Sequence, residues 1–360
     1  GATGTVNVSG AGSTVTVAGV GGVNTQTLDK VAGLLEVGVD GRGTVNVTNG
    51  GAVHVSDNGL GGATTAPSLR IGRTASGLGN VTVSGAGSSL TIQTTGAGNG
   101  RADAIVGQAG IGTMTVGNGG QVALLGPRQR NFVVGEQAGS IGTLNLSSGG
   151  RIEASRLGVG NSGGTGGVNV NNAMVNLNGV IGIVLSDGTL QGAGMTIARG
   201  NGGSGTVNLQ NGAIVDINTS ASRAFVVLGG GSALGQGSGT LSMSGGSQIN
   251  FTGTGANPIV SVGNTSGGVG TMTMTGGSAV NLTSTGQFVV GAAANSVGTL
   301  SVTGGSIINA GAIFGVAHNG TTGTGGTATV TLNNSTIIAA NAFVGAGGYL
   351  GGNGTLVGNL

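Results

Sequence analysis

The chain has 360 residues, of which 86 are Gly, 3 are Pro and none is Cys or Trp, and 11 basic side chains face 9 acidic ones for a formal charge of +2. That much Gly without a three-residue period excludes collagen, and 37% hydrophobic residues is too many for a disordered linker. Sparse charge, with only 6 Phe and 1 Tyr, excludes a nucleic-acid footprint of clustered Lys/Arg and stacking aromatics, and the lack of Cys removes disulfides and thiolate metal sites.

The elements follow in chain order as repeats. A run "G-T-h-x-h-x" (h apolar) starts at Thr5, Thr44, Asn80, Thr113, Thr143, Gly167, Thr206, Thr240, Thr271, Thr299 and Thr327, with a partial copy at Thr355. Successive starts lie 39, 36, 33, 30, 24, 39, 34, 31, 28, 28 and 28 residues apart, a solenoid period. Each repeat opens with an alternating run such as "TVNV" (Thr5–Val8), turns at a Gly pair or its equivalent, and alternates again, as in "AVNL" (Ala279–Leu282). A third run ends apolar-x-apolar-Gly: "LEVG", "LRIG", "FVVG" at Phe132–Gly135, "VSVG", and "FVVG" at Phe288–Gly291. In the repeat from Gly167, either "IGIVL" or "MTIARG" is the last strand. Period-two alternation means strands with one buried face, and Gly supplies the backbone that tight corners need. Pro67, Pro127 and Pro258 all fall between second and third runs, where a corner tolerates a missing N–H.

Three strands of four or five residues bury no core alone. Stacked on copies of themselves they do, and the expectation is an all-β chain: a right-handed parallel β-helix or β-solenoid of about eleven coils with three short strands each. It forms one continuous domain over 1–360, with charge and longer loops in 1–223 and none of the Asp, Glu, Lys or Arg in 224–360. In-facing residues of the first strands are Val6/Val8, Val45/Val47, Val81/Val83, Met114/Val116, Leu144/Leu146, Val207/Leu209, Leu241/Met243, Met272/Met274 and Leu300/Val302. Outward residues form Thr, Asn and Ser ladders, with Asp216, Asn250, Asn281 and Asn309 stacked in consecutive coils and their amides hydrogen-bonded along the axis. A membrane β-barrel needs strands about twice this length and aromatic girdles. The longest apolar run, around "GVIGIVL", is too short for a membrane helix. The chain starts at Gly1 without Met or a leader-like stretch and reads as a segment of something longer.

The recurring "GTLSVTGGS" and "GTMTMTGGS" followed by "FVVG" resemble the strand-loop-strand repeats of passenger domains of bacterial autotransporter (type V secretion) proteins. The closing "GGYLGGNGTLVGNL" (Gly347–Leu360) is similar to the segment that leads toward the C-terminal end of such passengers, ahead of an outer-membrane barrel. The resemblance covers nearly the whole chain. It implies a secreted or cell-surface adhesin or display stalk, tied to a membrane only through a barrel that these residues do not contain.

Chemistry is sparse. His54 and His318 lie eight repeats apart, on the order of 40 Å along a solenoid, and cannot share a triad. His54 is the outward residue of "VHV", and His318 in "AHNGTTG" has no acidic neighbour. The carboxylates Asp29, Glu36, Asp40, Glu136 and Glu153, with Lys30, are the nearest approach to the clusters of polysaccharide-cleaving β-helices, and read as isolated solubilising charge. Matches to "GxGxxG" precede no helix and carry no phosphate-binding weight. Arg101, Arg128, Arg130, Arg151 and Arg156 are the one basic concentration, a candidate surface contact for an anionic glycan or a cell surface.

The expectation is therefore a non-enzymatic extracellular rod without cofactor or metal, whose partners are a host or neighbouring-cell surface, glycans, or other copies of itself. An ice- or polysaccharide-binding solenoid is the alternative, prompted by outward Thr-x-Thr, and a polysaccharide-degrading β-helix comes third. Adhesion is expected in the first five coils, where the long segments Val20–Lys30, Ser56–Ser68, Gly96–Arg101 and Leu125–Asn131 lie.

Overall fold

The computed structural model describes residues 1–19, 33–56, 68–94, 102–127, 129–179, 183–184, 190–219, 223–230, 236–254, 257–318 and 325–359, without side chains at 183–184 and 190–191. These residues form strands and turns and contain no helix. The chain is a parallel β-helix: each coil contributes strands to three ladders, and each strand pairs in parallel with its equivalents in the coils before and after.

The first ladder holds twelve strands, from Thr3–Ser9 to Gly348–Gly352. Its register follows the repeat residue for residue, Thr5 on Thr44, Thr44 on Asn80, and so on to Thr271 on Thr299. The second ladder begins at Thr14–Ala18 and Ala52–Ser56, and the third at Leu34–Val37 and Ser68–Ile71. In the last coils these two ladders run together. Ile307–Val316 pairs with the second strand of the preceding coil through Ile307–Asn309 and with its third strand through Ile313–Val316. Between the two halves the chain bends at Gly311, with φ of 74°.

Alternation places the apolar residues on one axis. Every expected in-facing first-strand residue is buried except Val6, in the strand that opens the stack, which is 46% exposed. In the third ladder Ala104, Phe132 and Leu157 follow one another on the axis, a large ring above a small side chain. Later in the same column Phe288 and Phe314 stack with centroids 5.9 Å apart. Burying each such side chain contributes about 1.5–3 kcal/mol.

The Gly of "G-T" has a mechanical reason. A Cβ on Gly270 would sit 2.2 Å from the backbone N of Gly263, where the third strand turns into the first strand of the next coil. The corner closes only if that position is nearly empty. The residue ending each third run but the last is left-handed instead: φ is 73° at Gly107 and 72° at Gly135, with Ala198 and Ala317 taking the same conformation at 62° and 49°.

Three local expectations need correction. The repeat placed at Thr327 is slipped by two residues: Thr329, not Thr327, pairs with Thr299, so that Val330 and Leu332 stack on Leu300 and Val302. Ala328 then fills the crowded Gly position, and the larger Leu332 reaches the axis. The "GT" at Thr355 does not start a first strand at all. Tyr349 pairs with Thr329 in the first ladder, whereas Thr355–Asn359 joins the second through Thr336. The third expectation concerns the third ladder's outer face, which is no Thr/Asn/Ser surface: Ile105, Phe225, Val227 and Val289 point outward there and are buried. Of the two readings of the coil from Gly167, "MTIAR" is the third strand, with Met195 between Leu157 and Val226. Ile183–Val184 makes a short antiparallel pair with Leu190–Gln191.

Candidate functional site

The outer polar columns contain runs of hydrogen-bonded asparagines. In the first ladder Asn46 Nδ2 donates to Asn7 Oδ1 at 2.8 Å, and Asn208 to Asn169 and Asn169 to Asn145 at 2.9 Å each. In the second, the expected column forms in full: Asn309 donates to Asn281 at 2.6 Å, Asn281 to Asn250 at 2.9 Å, and Asn250 to the Asp216 carboxylate at 3.0 Å. Parallel in-register stacking brings like side chains one strand spacing apart, so each amide is donor and acceptor at once.

The described members of the candidate arginine group lie in the second and third ladders of coils four and five, and they part company. Arg101 and Arg128 lie outside the described residues. Arg130 is not a surface residue: it alternates inward with Phe132 and Val134 and is 6% exposed. Its Nε donates to Ser155 Oγ at 3.0 Å, its Nη1 to the Leu124 carbonyl at 3.5 Å, and its Nη2 to the Asn178 carbonyl. Glu153 lies 3.8 Å from Nη1. Burial lowers the guanidinium pKa and the Glu153 charge opposes that shift. One cation thereby ties three successive coils. The run "RNFVV" shows this in outline, since alternation from Phe132 and Val134 puts Arg130 on the inner side.

Arg151 is exposed in the second ladder, and the Asn176 amide, turned to present its oxygen, accepts from Arg151 Nε at 3.0 Å and from Nη2. Arg156 lies over the ring of Phe225, 5.4 Å from its centroid. Gly194 separates them in the ladder, pairing with Arg156 on one side and Phe225 on the other. A Cβ on Gly194 would stand 2.7 Å from Phe225 Cγ, so the ring and the guanidinium meet across a residue with no side chain.

Charges read from sequence as scattered solubilising groups are ties between coils. Glu36 pairs with Arg73 at 2.8 Å, Asp40 accepts from Thr74 Oγ1 at 2.7 Å, and Asp103 accepts from Asn131 Nδ2 at 2.8 Å. The partners are 37, 34 and 28 residues apart, one coil in each case. Partner spacing close to one repeat is the signal the sequence offers for these ties. Asp29 and Lys30 lie outside the described residues; Glu136 follows Gly135 at a third-strand corner and is half-buried.

The histidines stay apart. His54 is exposed between Thr16 and Thr91, and His318 stacks on Phe343 with centroids 4.9 Å apart. Among the described residues no group of three or more His, Cys, Asp or Glu is placed to hold a metal ion. What the arrangement offers is a long series of hydroxyls and amides at fixed spacing. Compared with known protein families and curated proteins, the chain matches no family model and no curated sequence.

Proposed function

We propose that this chain is the non-enzymatic passenger rod of an autotransporter, an extracellular or cell-surface adhesin or display stalk. The observation that supports this reading is the unbroken register of outward hydroxyls and amides in the first ladder, from Asn7 to Thr331. Such a surface presents a weakly hydrogen-bonding hydroxyl or amide at successive coils. It suits repeated low-affinity contact with glycans, a host or neighbouring cell, or further copies of the chain better than capture of one small molecule. No cofactor enters the reading.

Specific attachment is assigned to the long N-terminal segments, with the uncharged region after Arg223 as spacer. Leu125–Asn131 is withdrawn from that assignment because Arg130 serves the interior. The test displays the whole chain on non-adherent cells beside a version whose segments 20–30, 57–67 and 96–101 are replaced by Gly-Ser of equal length. Attachment to epithelial cells or glycan-coated surfaces is expected from the first and lost in the second. Equal attachment by both refutes the assignment, and no attachment by either refutes the adhesin reading.

A further inference from the structure

The first position of each first-ladder strand forms an outward column with a pattern along the rod. In coils four and five it holds Ile111 and Ile141, each 45% exposed, and in coils nine and ten Val269 and Val297, 40% and 43% exposed. Between them, in coils six to eight, stand Thr165, Ser204 and Ser238. Two aliphatic pairs thus flank three hydroxyls symmetrically about Ser204. Exposed β-branched side chains clustered this way mark contact surfaces rather than solvated faces.

We propose that this face is a self-association surface on which two copies pack antiparallel, related by a two-fold axis that runs along the strand direction at Ser204. The axis carries Ile141 onto Val269 of the second copy and Ile111 onto its Val297. Thr165 meets Ser238, and Ser204 meets its own equivalent. Both copies share one coil rise, so the match holds across the seven coils from four to ten. Rotation about the strand direction also keeps each outward column facing itself, and the entire face is covered. A parallel pair, rotated about the rod axis, matches the aliphatic column only by leaving the rest of the face uncovered.

No Asp, Glu, Lys or Arg occurs in the seven first-ladder strands from Ile111–Gly117 to Val297–Thr303, so nothing charged is desolvated across these coils. Seven coils of six- or seven-residue strands cover roughly 600 Å² per copy at ordinary strand dimensions, the low end of specific interfaces. The association is weak and reversible. It deepens the proposed function by naming a second copy as partner. It rests on the rod being presented in solution or on a surface, not on what the N-terminal segments bind.

The test uses the absence of native cysteine. Ser204→Cys and Val297→Cys are made in the full chain and treated with a short bis-maleimide, a spacer chosen because packed sheets sit about 10 Å apart. Ser204→Cys should give covalent dimer about tenfold faster or more, since Val297 faces Ile111 and not its own equivalent. Equal rates, or dimer from Val297→Cys alone, overturn the antiparallel contact. In sedimentation, Ile141→Lys should weaken association by about tenfold or more with the circular dichroism unchanged. A wild-type chain that stays monomeric at millimolar concentration overturns the proposal while leaving the attachment assay untouched.

Discussion

The most discriminating perturbation of the fold compares two adjacent residues of one strand. Met274 is fully buried between Met243 and Val302, whereas Thr273 faces outward between Ser242 and Ser301. Met274→Asp forfeits about 1.5–3 kcal/mol of apolar burial. It also places a carboxyl among apolar side chains, which adds several kcal/mol unless the group takes up a proton. We expect a total near 5 kcal/mol at neutral pH. Burial raises the folded-state pKa of such a carboxyl above the unfolded value of about 3.9, so the folded form binds the extra proton. The variant is then least impaired below pH 4 and loses stability as pH rises toward the folded pKa. Thr273→Asp adds a hydrated charge, should cost within about 0.5 kcal/mol, and should lack that pH dependence. Urea unfolding followed by circular dichroism at pH 3 and pH 7 reads both. Similar losses for the two variants, or a Met274→Asp variant more stable at pH 7 than at pH 3, would refute the inward assignment of Met274.

Two further outcomes test the corner and the interior cation. Gly135 and Gly139 both have positive φ, 72° and 79°, but a Cβ on Gly135 would meet the Thr165 carbonyl oxygen at 2.2 Å whereas one on Gly139 meets nothing within 4 Å. Gly139→Ala should therefore cost about 1–2 kcal/mol from the left-handed backbone alone, and Gly135→Ala distinctly more; equal melting losses would contradict the close approach. Arg130→Met keeps the length of the side chain but strands Ser155 Oγ and two carbonyls, and should cost about 3 kcal/mol in a urea titration, against under 1 kcal/mol expected of a surface arginine.

Much of the architecture is local and so was legible in the residues. "TMTM" alternates because alternate side chains of a strand point to opposite faces, and the Gly pair after it turns because few other residues accept positive φ twice in succession. The same arithmetic places Asn250, Asn281 and Asn309 in one column above Asp216, where their amides hydrogen-bond in series. Those features depend only on a residue and its near neighbours. Other features were decided by stacking. A shift of two residues at Thr327 keeps every side chain on its face, so alternation cannot detect it. What chooses between the registers is the neighbouring coil, which offers Leu332 a place on the axis above Val302 and leaves the crowded corner to Ala328. "IGIVL" and "MTIAR" are equally good strands in isolation, and only the fit of Met195 between Leu157 and Val226 separates them. The charges follow the same logic. Glu36 and Arg73, or Arg130 and Asn178, are distant in sequence and meet only because each coil rests on the one before it, so their role in the structure was set by the tertiary stack.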